Sequence, residues 1–295
     1  MDLICESRGV DKIVNLGVMR YISVLMCVLV AGTSFAQMGQ LDITSKAIEY
    51  KTIDTISLNL HCYLPTDFDS SKVYNSILFF HGGGWNEGEH TKFKRQCKYF
   101  ASRGLISFSA EYRVKNRHGT TPFDATEDVH DAFQYLVDHH QDLNIDKEKI
   151  VVAGGSAGGQ LAASTSFWNT GDVLPIAQIL FNPVLDTGPD GFANHRMEGR
   201  YLELSPIDNL KPTHGPTLIM VGTEDYVLPV DQAKDYKTRL EKEGVRCDLI
   251  LYEGQKHSFF NGKPYFEETL IDMDLFLALL GLLEGKPTIQ SVLNR

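Results

Sequence analysis

Cysteine is scarce, and the paired spacing that marks a metal framework is missing. The chain of 295 residues holds 5 cysteines, none of them in a Cys-x-x-Cys pair. No metal is therefore expected. An excess of positive charge is lacking too. With 28 Lys and Arg against 38 Asp and Glu, the formal net charge is -10. Nucleic acid and anionic membrane surfaces, which select a basic patch, are poor candidates for partners. The densest basic cluster is Lys92, Lys94, Arg95 and Lys98. It lies opposite an apolar stripe of Phe93, Cys97, Phe100 and Ala101, as on the solvated side of a helix. There is no low-complexity stretch, no internal repeat and no linker. What is present is a hydrophobic fraction of 43%, enough for a sizeable core.

The apolar run Ile22–Ala31 is about ten residues long, too short to cross a bilayer, which takes ~20. It is followed by Ser34-Phe35-Ala36, small residues at the two positions a signal peptidase reads. Cleavage after Ala36 would release a mature chain from Gln37, bound for secretion or the periplasm. Read from Met1, the leader carries Asp2, Glu6 and Asp11, unlike a positive n-region. Read from Met19 it carries only Arg20, so Met19 is the expected start. Residues 1–36 are thus expected to be extension and signal peptide, and 37–295 a single domain. That domain keeps Cys62, Cys97 and Cys247. An odd number leaves one thiol unpaired, and all three read as small core hydrophobes.

Beyond the leader, residues 43–53 and 57–64 read as two strands joined at Asp54-Thr55. Leu58, Leu60, Cys62 and Leu64 alternate with polar neighbours. Six nearly continuous apolar runs follow: 77–80, 105–110, 150–153, 177–181, 217–221 and 248–252. Runs of this kind suit strands buried on both faces of a parallel sheet. Helical spacing fills the gaps, as in Ala125, Val129, Ala132, Phe133, Leu136 and Val137. Pro229 and Gly244 bracket another helix, and Phe266, Leu270, Met273, Leu277 and Leu280 mark the last. The alternation predicts a mostly parallel eight-stranded sheet flanked by helices.

The run Val151-Val152-Ala153 enters Gly154-Gly155-Ser156-Ala157-Gly158-Gly159 and leaves as a helical pattern. G-x-S-x-G alone is weak evidence. Between a strand and a helix it describes a tight turn that lifts a serine hydroxyl above the sheet. The spacing misses the dinucleotide fingerprint and there is no Walker lysine. An attacked carbonyl develops negative charge, which needs fixed donors. His81-Gly82-Gly83-Gly84-Trp85 follows the strand 77–80, and its glycines can turn backbone N–H groups inward. Gly83, Gly84 and Ala157 are the candidate donors, with His81 structural in the loop. Trp85 is either an aromatic or sugar platform or a core indole.

A serine needs a base, and the base an orienting acid. His257 lies beyond the strand 248–252, and Asp225 beyond 217–221. Both are at carboxyl ends of parallel strands, where open α/β sheets place their sites. Glu224 is the alternative acid. The chain order is serine, acid, histidine.

These motifs resemble the α/β-hydrolase superfamily, over nearly the whole mature chain. The resemblance looks closest to bacterial carboxylesterases related to the hormone-sensitive-lipase-like group and to acetylxylan and feruloyl esterase-like enzymes. It implies an α/β-hydrolase fold and a serine carboxylesterase that forms an acyl-enzyme without a cofactor. Ser156, Asp225 and His257 would be its triad, and Gly83, Gly84 and Ala157 its oxyanion hole. Two departures stand out: Gly155 occupies a position that is usually acidic in the lipase-like group, and no N-terminal helical cap precedes the first strand. The remaining insertion, about 186–208, is short and polar. The expectation is a minimal cap, an open site and small acyl groups, on small-molecule or carbohydrate esters. The competing readings are a peptidase of the prolyl-oligopeptidase type and an inactive ligand-binding homologue.

Overall fold

The alternating and continuous apolar runs both become strands of one sheet. The computed structural model describes Ile43 and residues 45–168 and 171–289. The expected leader, its cleavage site at Ala36 and the start at Met19 lie outside these residues. Strands β1 (Ser45–Ile53) and β2 (Ile56–Tyr63) form a hairpin, with Asp54 in the turn at φ 52°. In β2, Leu58, Leu60 and Cys62 point inward, while the residues between them are more open. Leu64 falls just outside the strand and is 37% exposed, so it does not extend the alternation.

The other strands are β3 (Tyr74–Phe80), β4 (Ile106–Ala110), β5 (Ile145–Gly155), β6 (Ala177–Phe181), β7 (Thr217–Gly222) and β8 (Cys247–Tyr252). The 8-stranded sheet has the order β1-β2-β4-β3-β5-β6-β7-β8. Only β2 runs against its neighbours β1 and β4; every other pairing is parallel. Strands β4, β6 and β7 are buried throughout. In contrast, β8 sits at the sheet edge and is half-open, with Leu251 40% exposed. Its apolar sequence suggested burial on both faces; an edge position leaves part of it uncovered.

Five helices matter for the site: α1 (Lys94–Ser102), α2 (Pro122–Asp138), α3 (Ala157–Ser164), α4 (Val230–Lys242) and α5 (Tyr265–Leu279). Helix α2 begins with a capping box. The Thr121 hydroxyl accepts from the Asp124 amide, and the Asp124 carboxylate accepts from the Thr121 amide. Its Ala125, Val129, Phe133 and Leu136 join residues of α3 and α4 in one core with Leu78, Phe80, Phe108 and Val152. Successive strand residues face opposite ways, so Phe79 looks to the other face. There it stacks on Phe93 and lies beside Phe100 of α1. Helix α1 is tied to α5 by Arg103, whose guanidinium grips the buried Asp274 carboxylate at 2.6 Å. Gly244 at φ 81° ends the turn after α4.

The insertion after β6 contains three short 3-10 turns, Asn194–Arg196, Tyr201–Glu203 and Pro206–Asp208, and no α-helix. It is less polar in effect than in composition, because Met197 and Leu204 are fully buried. Cys62, Cys97 and Cys247 are free and buried. Burial pushes the thiols of Cys62 and Cys247 up to about 12, so they behave as apolar side chains.

Candidate active site

The serine turn is built by lack of space. Leaving β5, Ser156 adopts φ 57° and ψ −123°, a region that L-residues rarely occupy. Such strain costs on the order of 1–3 kcal/mol and persists only when the surroundings enforce it. Here the Ser156 amide donates to Phe181 O at 2.9 Å, and its carbonyl accepts from Gly159 and Val184. A Cβ at Gly154 would sit 2.0 Å from the Gly158 carbonyl oxygen. One at Gly158 would meet the Phe80 and His81 carbonyls at 2.2 and 2.4 Å. One at Gly155 would meet the rings of Phe260 and Phe93 at 2.8 and 3.5 Å. Those two rings occupy the space that an acidic side chain would need at that position. Ser156 itself stays partly exposed.

Helix α3 starts at Ala157, so the amides of Ala157 and Gly158 have no intrahelical acceptor. The glycine loop after β3 carries the other two candidate donors. Gly83 takes φ 128° and Gly84 φ 60°. Among the described residues, neither amide is used by a backbone acceptor, whereas the Gly83 carbonyl accepts from Asn86 and Glu87. The Gly84 carbonyl is held by the Arg196 guanidinium, delivered by the insertion.

The loops after β7 and β8 pack backbone against backbone. Glu224 N donates to Gln255 O at 2.9 Å, and a Cβ at Gly222 would lie 2.1 Å from that same oxygen. Asp225 and His257 are thereby brought together, with His257 Nδ1 at 2.9 and 3.0 Å from the two carboxylate oxygens. The Asp225 side chain is fully buried, and its Oδ1 also accepts from the amides of Val227 and Leu228. The other ring nitrogen, His257 Nε2, lies 2.8 Å from Ser156 Oγ. Glu224, the alternative acid, points to solvent. The structure therefore joins Ser156, His257 and Asp225 in one hydrogen-bonded chain, with the Gly83, Gly84 and Ala157 loops around the serine.

Trp85 corrects one expectation. Its indole is fully buried, and Nε1 donates to Gln160 Oε1 at 3.1 Å. No face is left for a substrate, so the platform reading fails and the core reading holds. Gln160 in turn donates to Leu204 O at 2.9 Å and so ties the glycine loop, α3 and the insertion together. His81 is also buried, stacked on Tyr112, and burial lowers its imidazole to about 4. It is neutral and structural, as the sequence suggested.

Sequence reasoning missed three side chains. Asn182 follows β6 at φ 34°, and its Oδ1 accepts from the Ser258 amide, steadying the histidine loop. Arg196 holds the glycine loop. Lys92 is exposed, as its spacing suggested, and also lines the cleft with Arg117, Glu87 and Glu89. The first two have no motif; only an odd backbone angle and a long-range contact mark them. The cleft over Ser156 has a volume of about 700 Å³, and Tyr226, 79% exposed, stands at its edge.

Residues 60–178 match the family described as BD-FAE, and residues 178–281 match the prolyl oligopeptidase family. The first span contains the glycine loop and Ser156, the second Asp225 and His257. An acetylxylan esterase of Xylanibacter ruminicola is 24% identical over 253 residues, 79% of this chain and 51% of that protein. This chain thus spans about half the length of that relative. An ethyl acetate hydrolase of Pseudomonas putida is 25% identical, over 74% of this chain and 76% of its own. Among solved structures, esterase 2 of Thermogutta terrifontis superposes with a TM-score of 0.78 at 33% identity. The match covers 84% of this chain and 98% of that one. That esterase is described as phosphoramylated by tabun, and in other structures as propionate-bound or butyrate-bound.

Proposed function

Because this chain belongs to the serine carboxylesterases of the α/β-hydrolase superfamily, we propose that it hydrolyses esters of short carboxylic acids through an acyl-enzyme on Ser156. The observation that carries this is the 2.8 Å contact between Ser156 Oγ and His257 Nε2. His257 Nε2 takes the hydroxyl proton as Oγ bonds to the ester carbonyl carbon. The carbonyl oxygen becomes an anion, received by the amides of Gly83, Gly84 and Ala157; one such donor is typically worth ~10²–10³ in turnover. Collapse of the intermediate breaks the bond to the alcohol oxygen, which leaves with the proton from Nε2. A water then attacks the acyl carbon and gives a proton to His257 Nε2; the bond to Oγ breaks, Oγ takes that proton back, and the acid is released. Asp225 keeps the imidazole in the tautomer with its proton on Nδ1 and stabilises the cation that forms twice per cycle.

Three observations support short acyl groups. Phe260 and Phe93 close the space beside Gly155. Among the described residues, the insertion after β6 offers only short 3-10 turns and no helical cap. The similar proteins include an acetylxylan esterase, an ethyl acetate hydrolase and an esterase solved with propionate and butyrate. The charged and amide groups of Glu87, Glu89, Lys92, Asn116 and Arg117 line the cleft, which suits a polar, carbohydrate-like alcohol. An ester series from acetyl to long acyl, with acetylated xylan and aminoacyl amides alongside, tests the reading. Acetyl to butyryl esters are expected to be the best substrates, and amides to be inert. Ser156→Ala should lose ~10⁶ in turnover while staying folded. Preference for long acyl chains would remove the short-acyl reading, and an active Ser156→Ala would remove the mechanism.

Export is proposed on the leader alone: the ten-residue apolar run and Ser34-Phe35-Ala36. Intact-mass measurement of the mature protein should give an N-terminus at Gln37; one that retains residues 19–36 would contradict it.

A further inference from the structure

Behind the wall of the cleft, three residues far apart in sequence converge. We propose that His61, His90 and Glu111 form a site for a divalent transition-metal ion of the zinc type, separate from the ester chemistry. His61 lies on β2, His90 opens a 3-10 turn (His90–Phe93), and Glu111 follows β4. His61 Nε2 is 2.9 Å and His90 Nδ1 3.3 Å from the same carboxylate oxygen, Oε1 of Glu111. The three donor atoms lie within 4.8 Å of one another. Around a tetrahedral zinc with bonds of ~2.0–2.2 Å, donors sit roughly 3.3 Å apart. Two imidazoles and one carboxylate is a set such ions accept, with a water completing the four.

The carboxylate and the backbone of Glu111 and His90 are held in place by the surrounding structure. The other carboxylate oxygen of Glu111 accepts from the backbone amide and the side-chain amide of Asn59, both at 3.1 Å. Only Oε1 is left to face the histidines. The Glu111 carbonyl accepts from the Tyr50 hydroxyl, and the His90 carbonyl from the Ser109 hydroxyl at 2.8 Å. Outer partners of this kind orient metal ligands. The two imidazole rings stack, with centroids 3.3 Å apart and planes 8° from parallel. An ion lies in the plane of each imidazole that binds it, so one ring must turn out of this stack for both nitrogens to aim at the same point. The side chains keep 15%, 22% and 29% exposure, which leaves an entry path. An ion here would fasten His90 to β2 and the end of β4. With it would be fastened the segment carrying Glu87, Glu89 and Lys92 into the cleft.

The test uses untagged full-length protein, stripped with chelator and titrated with Zn²⁺ by calorimetry and with Co²⁺ by visible absorption. One equivalent per chain, a tetrahedral Co²⁺ spectrum and a zinc-dependent rise in melting temperature are expected. His61→Ala and His90→Ala should each weaken binding by at least ~100-fold while retaining esterase turnover, and Asn59→Ala should weaken it by ~10–100-fold. Should an alanine variant fail to fold, Glu111→Gln keeps the shape and removes the charge, and its loss of binding carries the same meaning. Absence of stoichiometric uptake by the wild type, or histidine variants that bind as tightly as it does, would overturn the site.

Discussion

The two glycine-rich turns that meet at Ser156 use glycine for different reasons. In the turn after β5, Gly154 and Gly158 are required by packing: a Cβ there would overlap backbone atoms at 2.0–2.4 Å. In the turn after β3, Gly84 has nothing closer than 3.6 Å to a Cβ, and is required by its φ of 60°. Gly83 combines both demands, with φ 128° and the Glu87 carbonyl oxygen 2.0 Å from where a Cβ would sit. The serine turn is thus held by contact with the core, and the turn after β3 by conformation together with the Arg196 and Trp85–Gln160 contacts. In the proposed mechanism Ser156 must not move, because its strain is maintained from outside, whereas the glycine-loop amides need only be aimed.

That difference can be broken by substitution. Gly158→Ala should cost more than about 4 kcal/mol, or prevent folding, since two carbonyls stand in the way; denaturant unfolding measures it. Gly84→Ala should cost only ~1–2 kcal/mol, the penalty of a left-handed L-residue. It should still lose up to ~10²–10³ in turnover as a donor turns away. Equal stability losses in the two variants would dissolve the distinction. Trp85→Phe removes the donor to Gln160 and leaves a buried carbonyl oxygen unpaired. A loss of about 1–3 kcal/mol with KM unchanged is expected. A changed KM with unchanged stability would put the indole in contact with substrate.

The last contrast concerns pH dependence. Burial lowers His81, His130 and His214 to about 4. In the unfolded chain they titrate near ~6.5. Between those values the unfolded state binds protons that the folded state refuses, so stability falls as pH drops from about 6.5 to 4. The full contribution is present above that window. Melting temperatures across the range should show the slope, reduced in His130→Gln. Because the His81 carbonyl forms part of the floor under Gly158, acid should loosen both turns together.

Much of the site was legible in the sequence because its parts are short-range. Gly154–Gly159 is a contiguous turn between a strand and a helix. Asp225 and His257 each follow an apolar run directly, and parallel strands place their carboxyl ends together. Other features depended on long-range packing. Trp85 could have faced either way until Gln160 was seen to accept its N–H. Glu224 and Asp225 differ only in which one the Gln255 loop turns inward. The edge position of β8 is a matter of strand order, which apolar runs do not encode.

Local spacing by itself determined the alternation of strands and helices, the serine turn, and the order in which nucleophile, acid and base occur. Those follow from interactions between residues within a few positions of one another. Tertiary structure alone decided the burial of the indole, the grip of Arg196 on the glycine loop, and the meeting of His61, His90 and Glu111. Each joins side chains tens of residues apart, and sheet order and loop packing, not neighbouring sequence, bring them within bonding distance.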